Sequence, residues 1–107
     1  MKPGDVWVVH IPHLGTHEQS GTRPAVVIAR VAREIVTIIP CTSNKEASRF
    51  PYTYRIEPTN GNGLTKASIA LVFHMRAIDV SYFENKLGSL DRKSLAEIRK
   101  QARRLIG

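Results

Sequence analysis

The stretch His17-Glu18-Gln19-Ser20-Gly21-Thr22-Arg23-Pro24 runs straight into Ala25-Val26-Val27-Ile28-Ala29. Polar and turn-forming residues give way within one position to a β-branched, apolar run, which marks a buried strand entered at Arg23-Pro24. A buried strand resists charge, so an arginine at its lip predicts a guanidinium held in a fixed place at the end of a sheet. Proline fixes its own φ and biases the residue before it toward extended geometry. A second apolar strand, Ile35–Pro40, runs into Cys41-Thr42-Ser43-Asn44 and sets two hydroxyls at another strand end. A fixed cation near a fixed hydroxyl is an anchor for a phosphate.

On either side of this pair the chain reads mostly as strands, then one helix. Ala25–Val31 and Ile35–Pro40 are nearly continuous apolar runs, and the short interval Ala32-Arg33-Glu34 predicts a tight antiparallel hairpin between them. Val6–Ile11 alternates as a half-buried strand does. Pro12 breaks it and begins a loop of about ten residues that ends at Arg23, long enough to be a functional one. Tyr52–Ile56 alternates again, and Pro58–Gly63 is the densest turn signal in the chain. Ser68–Val72 reads as a fifth strand continuing toward Met75. Leu95, Ile98, Ala102 and Leu105 recur at helical spacing, with Asp91 as N-cap and Arg103 and Arg104 suited to the helix C-terminus. Five short strands with a terminal helix argue for a small, strongly bent antiparallel sheet or partly open barrel.

A chain of 107 residues is expected to form one domain, 1–107, with no internal repeat or linker. Hydrophobic residues at 42% and charged residues at 23% exclude a disordered tail. Sixteen basic against nine acidic residues give +7, which favours a polyanionic partner, nucleic acid before membrane. The single Cys41 rules out a disulfide scaffold, and its apolar neighbours predict an inert, buried thiol. With no bilayer-length apolar run and no signal-peptide pattern, the expected compartment is the cytoplasm and no membrane partner is expected.

Five segments in order resemble the MazF/PemK family of toxin endoribonucleases. They are Pro3–Val9, the element Glu18–Pro24, the element Pro40–Ser43, Gly63-Leu64 with Ser68–Val72, and Arg76–Asp79. The resemblance implies a small SH3-like antiparallel β-barrel with a C-terminal helix. It also implies a type II toxin that cleaves single-stranded RNA sequence-selectively and without metal, and that works as a homodimer. A cognate antitoxin would block the shared groove with an acidic, largely disordered C-terminal segment. Two copies also double the basic charge, and Ser68–Val72 is apolar enough to be an interface strand, although a fully buried core strand would look the same.

Cleavage without metal can use the substrate's own 2′-hydroxyl, so the protein must manage two protons and the charge on phosphorus, with no cofactor. Arg23 suits the phosphate, since guanidinium binds its oxygens in bidentate fashion and stays charged. The resemblance places the family's catalytic arginine there, and its catalytic threonine at Thr42. The alternative role for Arg23 is anchoring its loop through Glu18, and for Thr42 ending a strand in an ST-turn. Ser43 should turn to the other face if the strand continues.

Proton transfer falls to histidine. His17 lies in the loop just before Glu18, where it could approach the scissile phosphate as an acid or base or be a solvent-exposed loop residue, and Glu18 and Gln19 are candidate RNA contacts. His10, His13 and His17 have metal-like helical spacing, but Pro12 and Gly15 forbid that helix and no metal site is expected. Where the family carries an acidic residue and glutamine, this chain has Phe73 and His74. Phe73 is read either as a core aromatic or as a platform for a base, and His74, on the opposite face, as a replacement acid or base. Two other functions remain open, a gyrase poison of the CcdB kind and an inactive nucleic-acid-binding barrel. The CcdB family relies on C-terminal residues rich in tryptophan and glycine, whereas this chain ends Arg103-Arg104-Leu105-Ile106-Gly107 and its single tryptophan is Trp7, which speaks against the first.

Overall fold

The computed structural model describes residues 1–11 and 21–107. Seven strands and one helix follow in order: β1 (Asp5–Ile11), β2 (Gly21–Arg30), β3 (Ile35–Thr42), β4 (Thr53–Ile56), β5 (Ser68–Leu71), β6 (Arg76–Asp79), β7 (Phe83–Ser89) and α1 (Arg92–Ile106). They form one antiparallel sheet in the order β4-β5-β3-β2-β1-β7, with β6 also paired to β3. The fold is therefore mainly antiparallel β with a C-terminal helix, as expected. Among the described residues the sheet is open, with β4 and β7 at its two ends, so it is not a closed barrel.

Both faces of the sheet are apolar, because alternate residues of the central strands point to opposite sides. Val6, Val26, Ile39 and Cys41 pack with Ile98 and Ala102 of α1 in one cluster. Val9, Ala25, Val27, Val36 and Ile38 form a second with Ile78. Ala32–Glu34 makes the predicted hairpin, closed by the Val31 N–H donating to the Ile35 carbonyl at 2.9 Å.

The strand β3 changes partners along its length. Ile35–Ile38 pairs with β6, whereas Cys41 and Thr42 pair with β5. On its other side the ladder to β2 ends at Ala25–Pro40, and Gly21–Pro24 pairs with β1 alone. Beyond that point β2 and β3 separate. Pro24 and Pro40 stand at the parting, and proline has no N–H, so neither can supply a ladder hydrogen bond to hold the strands together there.

Several expectations need correction. Arg23 is not at the lip of a strand but inside one, opposite Val9, because β2 starts at Gly21; residues 12–20 of the expected loop lie outside the described residues. Ser68–Val72 does not run on to Met75. The strand stops at Leu71, and Val72–His74 forms a 3₁₀ turn before β6. Nor is it an interface strand, since all four residues of β5 are buried within the chain and the strand is paired on both sides. The strands β6 and β7 had no clear sequence signal. On α1, Ile98 and Ala102 are buried as expected, but Leu105 is 38% exposed. Asp91 is the N-cap residue, though its side chain makes no capping hydrogen bond.

Candidate active site

The parting of β2 and β3 opens a cavity of about 420 Å³. Arg23 and Pro24 line it from one strand, Cys41 and Thr42 from the other, so the arginine and the hydroxyl stand on opposite walls. Ser43 joins Thr42, because the strand ends at Thr42 and the expected alternation stops with it. The third wall comes from Leu64-Thr65-Lys66. Among the described lining residues, Arg23 and Lys66 carry charge and both are positive, which suits an anionic ligand.

The third wall is placed by the turn Pro58–Gly63. Asn62 is buried and holds that turn from within. Its Oδ1 accepts from the N–H groups of Thr59 and Leu64, each at 3.0 Å, and its Nδ2 donates to the Glu57 carbonyl at 2.9 Å. Gly63 has φ +70°, and a Cβ there would lie 2.1 Å from the Leu87 carbonyl oxygen. Only glycine lets the turn lie this close to β7.

Thr42 ends β3 in an ST-turn, its Oγ1 accepting from the Asn44 N–H at 3.2 Å. That bond uses a lone pair and leaves the hydroxyl proton to donate, so the structural and the chemical roles coexist. The thiol of Cys41 lies behind the wall with no exposed area, and burial pushes its pKa up to about 12, so it is no nucleophile.

Thr42 also borders a second cavity of about 420 Å³. Asn44 caps the 3₁₀ turn Lys45–Arg49 by accepting from the Glu46 N–H at 3.1 Å, and this brings Arg49 and Phe50 to the rim. Phe73 and His74 form the opposite side. Phe73 meets Phe50 edge to face at 5.9 Å between centroids, and the His74 ring lies 4.5 Å from that of Phe73. Arg49 sits over Phe50, 4.8 Å from the ring centre. Phe73 is half-buried rather than core. His74 is not on the opposite face, because the 3₁₀ turn replaces strand alternation and turns both rings to one cavity.

His17, Glu18 and Gln19 lie outside the described residues. Of the spaced histidines only His10 is described, with its Nδ1 3.4 Å from the Thr22 hydroxyl. Among the described residues no three His, Cys, Asp or Glu side chains gather to hold a metal ion. Sequence reasoning missed Lys66, Arg49 and Phe50. Lys66 has a signal in retrospect, a cation two residues before the buried strand β5. Arg49 and Phe50 have none beyond the Asn44 cap.

No helix among the described residues is long and apolar enough to cross a membrane. A profile described as "PemK-like, MazF-like toxin of type II toxin-antitoxin system" matches residues 2–106. The curated protein Endoribonuclease MazF9 of Mycobacterium tuberculosis is 26% identical over 107 residues, covering 92% of this chain and 89% of that protein. A crystal structure of MazF from Deinococcus radiodurans superposes with a TM-score of 0.78 at 28% identity, covering 98% of this chain and 94% of that one. A MazE–MazF structure from the same organism gives 0.68 at 27%, covering 98% and 93%. With the profile spanning nearly every residue and the fold shared along the whole length, this chain belongs to the PemK-like, MazF-like family of type II toxin–antitoxin toxins.

Proposed function

We propose that this protein is the endoribonuclease toxin of its pair, a single toxin domain over residues 1–107 that acts in the cytoplasm on single-stranded RNA. The observation that carries this reading is the parting of β2 and β3, with Arg23 and Thr42 on facing walls of one positively charged cavity. The endoribonuclease name of its Mycobacterium relative supports it.

In the proposed reaction the substrate's 2′-oxygen attacks the adjacent phosphorus while the bond from phosphorus to the 5′-oxygen breaks. The products are a 2′,3′-cyclic phosphate and a 5′-hydroxyl. Arg23 holds the non-bridging oxygens as charge builds on them, and Thr42 donates a hydrogen bond to the same group. One proton leaves the 2′-hydroxyl and one reaches the departing 5′-oxygen. His74, beside the cavity that Thr42 shares, is the described candidate for either transfer, and His17 is the other. No metal or other cofactor enters the scheme. Phe73 and Phe50 offer faces on which unpaired bases stack, with Ser43, Glu18 and Gln19 as further RNA contacts.

The proposed working unit is a homodimer with a shared groove, which an acidic antitoxin segment occupies in competition with RNA. The MazE–MazF structure of the Deinococcus relative supports an antitoxin partner.

Incubation of the purified protein with a long RNA in EDTA tests the reading. Cleavage leaving cyclic phosphate ends is the expected result, and deoxyribose at the scissile nucleotide should permit binding but not cutting. Activity lost in EDTA, or efficient cutting of the deoxy analogue, would sink the mechanism. Retention of RNA without cleavage would favour an inactive binding barrel, and a stalled gyrase–DNA complex a gyrase poison.

A further inference from the structure

The chain's excess positive charge is concentrated away from the cleavage cavity. Six of its sixteen basic residues, Arg92, Lys93, Arg99, Lys100, Arg103 and Arg104, lie on α1 with the single acid Glu97, a net of +5 out of the whole chain's +7. All six are exposed, and none makes an ion pair among the described residues. At about 100° per residue they fall within an arc of roughly 140°. The only uncharged residue inside that arc is Ala96, and the buried Ile98 and Ala102 lie outside it.

This arrangement works against the helix. Arg99 with Arg103 and Lys100 with Arg104 are like charges four residues apart, which repel. The negative C-terminal end of the helix accounts for Arg103 and Arg104, but Arg92 and Lys93 sit in the first turn, where the backbone dipole disfavours cations and Asp91 at the N-cap is the one neighbouring acid. A polyanionic partner removes both penalties.

We propose that the outward face of α1 is a second RNA-contacting surface, a sequence-independent strip that grips phosphates beyond the cleavage cavity. This rests on the reading of the protein as an endoribonuclease. The helix that carries the strip lies next to the site, since α1 packs on the Val72–His74 turn that carries the two rings bordering the second cavity. Its composition favours RNA over a protein, since a protein interface needs apolar or aromatic anchors at its centre. Phosphates need only charge.

The test compares wild type with Arg99→Gln/Lys100→Gln/Arg103→Gln/Arg104→Gln, along with two separate double variants, Arg99→Gln/Arg103→Gln and Lys100→Gln/Arg104→Gln. Folding is checked by circular dichroism. Affinity is measured against salt for a long deoxy-blocked RNA and for a short oligonucleotide that spans only the cavity. For the long RNA, the slope of log affinity on log salt should become shallower by about 3 in the fourfold variant, at about 0.7 per neutralised phosphate contact. The double variants should each give about half that change, and the short oligonucleotide should keep its slope and its cleavage rate. A change below about 1 with the long RNA overturns the proposal, as does a fourfold variant that loses only antitoxin affinity. Wild type that binds RNA with a steep, α1-dependent slope yet never cuts would leave the strip standing and remove the nuclease reading.

Discussion

The two ends of β3 lie in one strand and meet opposite surroundings. At Val36 and Ile38 the strand is flanked by β2 on one side and β6 on the other, and both side chains have no exposed area. Four residues beyond Ile38, at Thr42, β2 has turned away, β5 has replaced β6, and two cavities open on either side of the same residue. The difference is one of hydrogen-bond supply. Where every residue can donate, the ladder closes and seals the core. Where Pro24 and Pro40 cannot, the strands part and leave room for a ligand between a cation and a hydroxyl.

The sealed end should respond to substitution through stability alone. Ile38→Ala should cost about 2–5 kcal/mol in a urea titration, with activity per folded molecule unchanged. Loss of specific activity at full folding would show that the two ends are not separable.

At the open end the pattern should reverse. Arg23→Ala should lower cleavage about a hundredfold to a thousandfold, about 2.7–4 kcal/mol of transition-state stabilisation. It should shift stability by only about 0.5–1 kcal/mol. Arg23→Lys should recover little of the rate, since a point charge does not match two phosphate oxygens. A folded Arg23→Ala variant cutting at near wild-type rate would break the comparison.

A smaller effect distinguishes the two cavities at Thr42. Phe50→Ala should weaken binding of an uncleavable RNA by about 1–3 kcal/mol and leave the chemical step on a saturating substrate unaltered. Unchanged affinity would confine the site to the cavity of Arg23.

The smallest test concerns how the sheet is fastened at β1 and β7. Asp5 is 4% exposed, and burial alone would raise its pKa. The Lys2 N–H at 2.9 Å, the Ser89 hydroxyl at 2.9 Å and the Lys86 ammonium at 3.5 Å reverse that and hold it below the usual carboxylate range. A lowered folded pKa means the stabilisation is complete above the unfolded value and disappears as pH falls through the folded one. Wild type should therefore lose stability below about pH 4, while Asp5→Asn should start lower at neutrality and change less with acid. Parallel curves for the two proteins would show that Asp5 does not fasten this edge.

What could be read in the sequence follows the same division. The apolar runs of β2 and β3, their hairpin and the buried stripe of α1 were legible because burial writes a period into the chain. The strand β7 carries Glu84, Asn85 and Lys86 at an exposed sheet edge, where charge discourages pairing with other chains and erases the apolar signal. Arg23 and Thr42 were legible as a cation and a hydroxyl near strand ends. Their facing positions were not, because these depend on where the ladder stops. Lys66 reaches the cavity only through the three hydrogen bonds of Asn62, and Phe73 shares a cavity with His74 only because a turn of three residues cancels alternation.

The silent thiol of Cys41 supplies a clock for this region. It adjoins Thr42 in the chain, has no exposed area, and keeps its proton at any ordinary pH. A thiol-directed reagent can therefore modify it only during moments when β3 lifts from its neighbours, and the labelling rate counts those moments. RNA held across the cleft should lengthen the interval between them.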